Sequence, residues 1–183
     1  IAFVFCTLVM MKQLNFLLNT KELGIERHNV GAVVYCSENI PFKEIVSQIP
    51  EVSECLNGFH TPIPKMFYSI YRVKEWDGKV ADSEQYIELE DETINQDYAD
   101  FFGVEVLNGS MLDEKDGKDM VVINEAAMKA FGWTQPIGKK MGKLGKQCIV
   151  KGVIKNISYN APIHPVAPAM FFLTDNTGRG GII

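Results

Sequence analysis

The chain has 183 residues, of which 46% are hydrophobic and 22% are charged, as in a folded domain with a sizeable core. Its 18 basic and 23 acidic residues give a net charge of −5, which argues against nucleic-acid binding because phosphate contacts need basic surface. The densest basic stretch is interpreted as a solvated turn and comprises Lys139, Lys140, Lys143 and Lys146.

The cysteines and histidines do not suggest a metal or redox site. They are Cys6, Cys36, Cys55, Cys148, His28, His60 and His164. No CxxC pair occurs and no two histidines have ligand spacing, which argues against a zinc ribbon or a thioredoxin-type site. Cys36, Cys55 and Cys148 lie among apolar residues and are expected to pack as small hydrophobic side chains. A Cys36–Cys55 disulfide is the less favoured alternative.

The first 11 residues, IAFVFCTLVMM, are apolar apart from Thr7. They are too few to span a bilayer, which takes about 20 residues in a helix. They also lack the basic segment and cleavage site of a signal peptide. Two interpretations are open: a buried core helix, or the outer end of a transmembrane helix. In either case the pattern predicts one helix over 1–20, and Gly24 supplies the stop signal.

A first strand–helix–strand unit follows over residues 30–59. Residues 30–36 are rich in β-formers, Pro41 opens a helix over 41–49, and residues 52–59 predict a second strand. The helix is expected to bury one face, comprising Phe42, Ile45, Val46 and Ile49.

Residues 66–76 and 85–91 predict two strands that reverse around Asp77-Gly78, through a loop longer than a tight hairpin. The second strand carries a run of carboxylates: Glu88, Glu90, Asp91 and Glu92. Their alternation with apolar residues indicates a solvated strand face rather than an acid–base pair or a calcium site.

The next elements are a short helix over 95–103 and a strand over 104–109. Asn95 is expected to cap the helix, and Tyr98, Phe101 and Phe102 are expected to point inward. A charged loop over 111–119 follows.

A second strand–helix–strand unit then combines a strand over 121–123, a helix over 124–131 and a strand over 148–154. Asn124 is positioned to cap the helix, Glu125 lies at its positive end, and Gly132 stops it. Met128 and Phe131 are expected to fill the core, and a last strand is predicted over 168–173.

None of these features predicts a catalytic, cofactor-binding or metal-binding residue. The stretch IGKKMGKLGK lacks the Ser or Thr of a phosphate-binding loop and follows a helix instead of preceding one. Trp133 is expected to cover the local core, whereas Trp76 fits a core position or a partner contact equally well. His164, between two prolines, suits a surface contact.

The motifs together resemble the periplasmic core domain of MacB/FtsX-like ABC-transporter permeases. The resemblance rests on VVINEAAMKAFGWTQPIGKKM and CIVKGVIKNISYNAPIHPVAPAMFF, and covers nearly all of the chain. The matching positions are Asn124, Glu125, Gly132, Trp133, Pro136, Ile137, Gly138, Lys139, Gly152, Val153, Lys155 and Asn156. INQDYADFFGVEVLNGSML matches less well, with Ser110 where the family commonly has arginine. KQLNFLLNTKELGIERHNV is similar to the segment outside the first membrane helix of Bacteroides-like permeases.

The resemblance implies an α+β fold with a βαβ-containing porter-like lobe and a smaller inserted lobe. Residues 1–24 would be the outer end of a transmembrane helix continuing as a periplasmic stalk helix. Residues 25–65 and 119–183 would form the porter-like lobe, and 66–118 the inserted lobe.

The implied function is that of a periplasmic domain anchored at the inner membrane. It would couple ATP hydrolysis, on a separate cytoplasmic ATPase, to substrate export or release by mechanotransmission, without a catalytic site or cofactor. The implied partners are that ATPase, a second permease copy or paralogue, and a periplasmic adaptor with a TolC-type outer-membrane protein. Two other functions stay open: a stand-alone periplasmic ligand-binding or sensor domain, and an enzyme, for which the sequence offers no cluster of titratable groups.

Overall fold

The computed structural model describes residues 2–18, 24, 30–33, 42–57, 69–80, 85–143, 146–158, 165–173 and 181–182. The predictions for His28, His60, His164 and Cys36 lie outside these residues. The helices are α1 (Ala2–Leu18), α2 (Phe42–Val46), α3 (Gln96–Phe101) and α4 (Glu125–Ala130). The strands are β1 (Ala32–Val33), β2 (Leu56–Asn57), β3 (Ile70–Val73), β4 (Glu75–Trp76), β5 (Lys79–Val80), β6 (Ile87–Thr93), β7 (Val106–Gly109), β8 (Met120–Asn124), β9 (Lys140–Lys143), β10 (Lys146–Ile154), β11 (Ala169–Phe172) and β12 (Gly181–Ile182).

Helix α1 confirms the predicted N-terminal helix, but its apolar side chains are exposed. Phe3 is 84% exposed and Leu8 is 60% exposed. The interpretation as a buried core helix is therefore wrong, because a core helix would have these side chains covered. Among the residues that the structure describes, none of the helices combines the length and the apolarity needed to cross a membrane.

A mixed nine-stranded sheet forms the centre of the described chain, in the order β3-β6-β11-β8-β10-β9-β4-β5, with β7 also paired to β10. Strands β8 and β11 lie inside this order, and successive residues along them enter two different hydrophobic clusters. Val121 and Ile123 belong to one cluster and Val122 to the other. Because successive side chains of a strand point to opposite faces, both faces of the sheet are buried here.

The two clusters contain different helices. The cluster of Val122 includes α3 through Tyr98, Ala99 and Phe102, and the cluster of Val121 includes α4 through Ala127. The fold is therefore a mostly β core with a helix on each face. Strands from residues 70–109 and from residues 120–172 share this sheet, and the predicted lobe boundaries stay a prediction.

The second strand–helix–strand unit is confirmed. β8 and β10 pair in parallel, with α4 between them in the chain. Their register shifts between Val150 and Gly152, so Lys151 is an extra residue, a β-bulge. The bulge changes the phase of the strand: Val150 and Val153 both enter the α4 cluster, and Ile154 enters the α3 cluster.

The first unit differs from the prediction. β1 and β2 each pair antiparallel with β12, which lies between them in a separate three-stranded sheet. Helix α2 is shorter than predicted, and Ile45 and Ile49 are 51% and 44% exposed. Of the predicted helix face, Val46 is buried, and the side chain of Phe42 lies outside the description.

The strands of the middle region pair as predicted, since β3 and β6 are antiparallel. Asp77-Gly78 does not connect them directly. It forms a tight two-residue turn between β4 and β5, and both residues have positive φ, at 54° and 71°. This is the backbone conformation of a type I′ hairpin, for which Asp-Gly is a preferred sequence. β3 ends at Val73 and β6 begins at Ile87, so the connection between these two strands is longer than a tight hairpin, as predicted, and the tight turn belongs to the extra hairpin β4–β5.

Two interpretations of charged stretches also need correction. Lys140 and Lys143 lie in strand β9, which forms a hairpin with β10, so the lysine-rich stretch is not simply a turn. In β6, Glu88 is exposed as predicted, but Glu92 is buried. β6 pairs with β3 on one edge and with β11 on the other, and near Glu92 it is covered on both faces. It therefore has no face that is exposed to solvent along its whole length.

A close backbone contact joins β7 to β10. A Cβ atom added to Gly152 would overlap the carbonyl oxygen of Ser110, and one added to Gly109 would overlap the carbonyl oxygen of Lys151. Gly109 also has a φ of +72°. Both positions therefore require glycine. For Gly152, this is the physical reason for the glycine at the start of the sequence GVIKN, residues 152–156.

The described cysteines behave as small apolar residues where they are buried. Cys55 and Cys148 are 6% and 4% exposed, and neither is in a disulfide. A Cys36–Cys55 disulfide is therefore absent. Cys6 is free and exposed on α1.

Candidate functional site

Asn124 is the most deeply buried polar side chain in the described core, with 2% exposure. Its Oδ1 accepts hydrogen bonds from the backbone N–H of Ala127, at 2.8 Å, and of Ala169, at 3.0 Å. Its Nδ2 donates to the carbonyl oxygen of Ala167 at 2.8 Å. The predicted cap is confirmed, and the same side chain also ties α4 to the entry of β11. The Asn amide supplies both the oxygen that accepts from the two N–H groups and the N–H that donates to the carbonyl.

Asn156, just beyond β10, provides a second cap for the same helix. Its Oδ1 accepts from the N–H of Ala126 at 3.0 Å, and Glu125 Oε2 accepts from the N–H of Asn156 at 3.2 Å. The bonds are reciprocal, as in a capping box, although the two residues are 31 positions apart. The start of α4 is thereby fixed to the exits of both β8 and β10.

Gly24 brings the N-terminal part of the chain to this point. It is buried and has a φ of +81°. An added Cβ would overlap the carbonyl oxygen of Asn156 and lie 3.3 Å from Ile157 Cα. The backbone of Gly24 therefore rests directly on the backbone of Asn156. We call Gly24, Asn124, Glu125 and Asn156 the α4 joint.

A second connection holds the other end of α4. Trp133 Nε1 donates to Asp77 Oδ2 at 2.6 Å, and Lys139 Nζ pairs with Asp77 Oδ1 at 2.9 Å. Trp133 stacks on Phe131 with ring centroids 4.2 Å apart. Its predicted core position is thus confirmed, with 6% exposure. We call Asp77, Trp133 and Lys139 the Asp77 clamp.

Trp76, for which a core and a partner role were both open, is half-buried against the same aromatic group. Its ring meets Phe131 edge-on with centroids 5.9 Å apart. This contact favours the core role.

The remaining motif residues are structural as well. Gly132 and Gly138 have positive φ values of 68° and 79°, as turns around α4 require. Pro136 is buried, and Ile137 is 42% exposed. Lys155 forms an exposed ion pair with Glu105 at 3.0 Å.

Lys151, the bulge residue, forms ion pairs with two aspartates of the loop before β8, and its side chain is largely buried. Its Nζ lies 2.5 Å from Asp116 Oδ2 and 3.2 Å from Asp113 Oδ2. Burial lowers the pKa of Lys151, but the hydrogen bonds and charges of the two aspartates outweigh it and raise the pKa. The N–H of Lys115 and the Lys151 ammonium lower the pKa of Asp113. These pairs hold the loop before β8 onto β10.

A groove of about 360 Å³ lies between α2, β2 and α3. Its polar lining includes Lys43, Ser53, Asp97 and Asp100, and the buried thiol of Cys55 also borders it. Within the described residues, no three His, Cys, Asp or Glu side chains are arranged to hold a metal ion.

Sequence reasoning found Asn124, Glu125, Trp133, Lys139 and Asn156, and the structure groups them into the joint and the clamp. It missed two partners. Gly24 was interpreted as a helix stop, and Asp77 as a turn residue. Asp77-Gly78 had a local signal for the turn, but nothing local indicates a hydrogen bond to a tryptophan 56 residues away.

No protein-family model matches the chain, and no curated protein gives a significant match. Solved structures do match. The periplasmic region of MacB from Actinobacillus actinomycetemcomitans aligns with a TM-score of 0.50 at 17% identity, covering 92% of this chain and 78% of that one. The chain has a MacB-type fold.

The extracellular domain of the noncanonic ABC-type transporter YknZ from Gram-positive bacteria also aligns, with a TM-score of 0.49 at 15% identity. That alignment covers 84% of this chain and 82% of that one. The resemblance drawn from the motifs is confirmed at the level of fold by the alignment with the MacB periplasmic region.

Proposed function

We propose that this chain is the extracytoplasmic domain of an ABC-transporter permease subunit. It couples ATP hydrolysis in the cytoplasm to export or release of a substrate in the periplasm by mechanotransmission. The observation that carries the proposal is an exposed apolar helix, α1, followed by a buried backbone contact at Gly24 with the α4 joint of a MacB-type fold.

The surface of α1 supports anchoring at the membrane. Large apolar side chains are exposed on all sides of this helix, and a helix that is apolar all round belongs in lipid or in a protein core. They are Phe3, Val4, Phe5, Leu8, Val9, Met10, Met11 and Leu14. The described part of the chain does not cover them, so a bilayer or neighbouring membrane helices would. The exposed surface of α1 supports our proposal that the domain lies at the outer side of the inner membrane.

The buried polar groups of the α4 joint support a mechanical role. They bond to backbone N–H and C=O groups of α4, β10 and β11, and so hold elements together. In the proposal, ATP hydrolysis belongs to a separate nucleotide-binding subunit or domain, and this domain needs no catalytic site or cofactor. The other partners are a second permease copy or paralogue and, for export across the outer membrane, an adaptor with a TolC-type channel.

Affinity purification of the tagged full-length permease from native membranes tests this function. We expect an ABC ATPase to co-purify, and we expect a variant of that ATPase unable to hydrolyse ATP to abolish the transport phenotype. A chain that carbonate washing releases from membranes, with no ABC ATPase attached, would contradict the proposal.

The groove beside α3 favours a second candidate, a stand-alone periplasmic ligand-binding or sensor domain. A mixed-charge groove of about 360 Å³ is within the range of small-molecule sites. Calorimetric titration of the chain with amino acids, short peptides and sugars tests it. Saturable binding that Asp97→Asn and Asp100→Asn weaken at least tenfold, with exposed Asp119→Asn as the control, would support this function. Absence of any binding would exclude it for these ligands.

A further inference from the structure

We propose that the α4 joint is the point at which movement of α1 passes into the domain, with Gly24 as the contact and Asn156 as the positioning residue. This inference rests on the proposed function. It adds a specific route: from Gly24 through the peptide of Asn156 to the first turn of α4, and from there through Asn124 to β11.

The first step is a contact between two backbones. Gly24 has no side chain, and the carbonyl of Asn156 occupies the space that a Cβ would need. A contact through a long side chain can absorb a displacement by changing rotamer. A contact of one peptide on another in a close-packed interior cannot, so the displacement moves the neighbouring peptide.

The second step is the double attachment of Asn156 to α4. The peptide N–H of Asn156 bonds to the carboxylate of Glu125, and its side chain bonds to the N–H of Ala126. The peptide that Gly24 contacts therefore adjoins both bonds at the start of the helix. A shift of this peptide changes both bonds together.

The third step concerns what stays still. The far end of α4 is held by the Asp77 clamp, through Trp133 stacked on Phe131. The start of α4 is thus the end that can respond, and its movement reaches β11 because Asn124 bonds to Ala167 and Ala169.

Electron paramagnetic resonance distances in the full-length permease with its ATPase test this route. Spin labels replace exposed Lys12 on α1 (Lys12→Cys) and half-exposed Ala126 at the start of α4 (Ala126→Cys), in a chain that carries Cys6→Ser so that the exposed native thiol is not labelled. Each is measured against a reference label on the sheet side (Lys74→Cys). Distances are compared without nucleotide and with ATP bound to a hydrolysis-deficient ATPase. In the otherwise unsubstituted complex we expect both distances to change.

The deciding variant is Asn156→Leu, which keeps the volume of the side chain and removes its bond to Ala126. We expect the α1 distance change to persist and the α4 distance change to fall to less than half. Asn156→Asp, which keeps the accepting oxygen, should retain the α4 response. If Asn156→Leu does not fold, Gly24→Ala gives the same readout, because it disturbs the contact and leaves every hydrogen-bonding group in place.

Each result decides between the two proposals. A full α4 response in Asn156→Leu or Gly24→Ala overturns the route and leaves the proposed function intact. An α1 helix that does not move when ATP binds to the unsubstituted complex overturns the proposed function, and the route with it.

Discussion

The sequence predicts the same order of elements, strand–helix–strand, in two segments of the chain, but the two segments pair differently in the structure. In the β8–α4–β10 unit, the strands are five and nine residues long, adjacent and parallel. In the β1–α2–β2 unit, both strands have two residues, and β12 separates them. The same local pattern therefore leads to two different pairings.

The difference follows from the amount of apolar surface that each unit buries. Residues 121–124 of β8 are all buried, and α4 is capped by Asn124 and Asn156. Around α2, the buried group among the described side chains consists of Val46 and Cys55, with Val52 packed against it. We call β8–α4–β10 the deep unit and β1–α2–β2 the shallow unit. Burial fixes which strands pair in the deep unit, whereas the strands of the shallow unit pair with β12, a strand from elsewhere in the chain.

The largest effect is expected for the buried cap of the deep unit. Asn124→Ala leaves two N–H groups and one C=O group without partners, each at about 1–3 kcal/mol, so we expect a loss of about 4 kcal/mol. Urea unfolding followed by tryptophan fluorescence measures it. The control is Asn95→Ala, which removes the single capping bond to Tyr98 N and should cost about 1 kcal/mol. Equal losses in the two variants would refute the special role of Asn124.

Gly152→Ala should come next, at about 3 kcal/mol, because the added Cβ overlaps the backbone of Ser110. We also expect faster hydrogen exchange at the amides that pair β7 with β10. Gly142→Ala is the matched control. Its Cβ would lie 3.1 Å from Glu75 Cβ, a tight contact but without the backbone overlap found at Gly152, so the loss should stay below about 1 kcal/mol. Unchanged exchange in Gly152→Ala would mean that β7 and β10 stay paired despite the added Cβ, and would contradict the requirement for glycine at this position.

A matched pair of valines compares the units directly. Val122 is 0% exposed and Val46 is 9% exposed. We expect Val122→Ala to cost about 2 kcal/mol, and Val46→Ala at most about 1 kcal/mol, because fewer contacts are lost in the shallow unit. Exposed Ile45→Lys should change stability by less than about 0.5 kcal/mol. If Val46→Ala cost as much as Val122→Ala in the same urea assay, the contrast between the units would be wrong.

Trp133→Phe tests the Asp77 clamp with a smaller expected loss. It keeps an aromatic ring on Phe131 but removes the donor to Asp77, and should cost about 1.5 kcal/mol. Asp77→Asn keeps an acceptor for Trp133, tolerates the positive φ, and should cost less. The urea midpoint of each variant gives the comparison, and a larger loss for Asp77→Asn would show that the Lys139 ion pair dominates.

The smallest effect is the pH dependence of the loop before β8. Because the pKa of Asp113 is lowered, its carboxylate stabilises the folded state above the ordinary pKa of about 4. This stabilisation is lost as the pH falls through the lower, folded-state value. Asp113→Asn should therefore be less stable than the unsubstituted chain at pH 6, and the difference should shrink by pH 3. Parallel unfolding curves at both pH values would exclude this contribution.

Local signals predicted much of the fold. Runs of Val and Ile predicted β8 and β10, and Asn95 and Asn124 predicted the caps of α3 and α4. Each of these depends on neighbours in sequence. Strand β9 was missed because its lysines suggested a solvated turn, and β12 was missed because two residues carry no pattern.

The candidate site was predicted only in part, for the same reason. Asn124 and Glu125 could be assigned from position, but their bonds to β11 and Asn156 join segments 43 and 31 residues apart. Gly24 and Asn156 are still farther apart in the sequence, and the glycine itself is the only local sign of their contact. Glu92 was placed in solvent because alternation alone does not show that a second layer covers the other face.

The bulge at Lys151 has a consequence for insertions and deletions. Val150 and Val153 both face α4 because one extra residue, Lys151, stands between them while their partners on β8, Val121 and Ile123, are two residues apart. Removing Lys151 would place the two valines two residues apart, so in a regular strand every apolar residue of β10 would keep its present face. The deletion would instead remove the bulge and the ammonium that reaches Asp113 and Asp116. Homologous chains should therefore be able to differ by one residue here without any change in the apolar faces of β10.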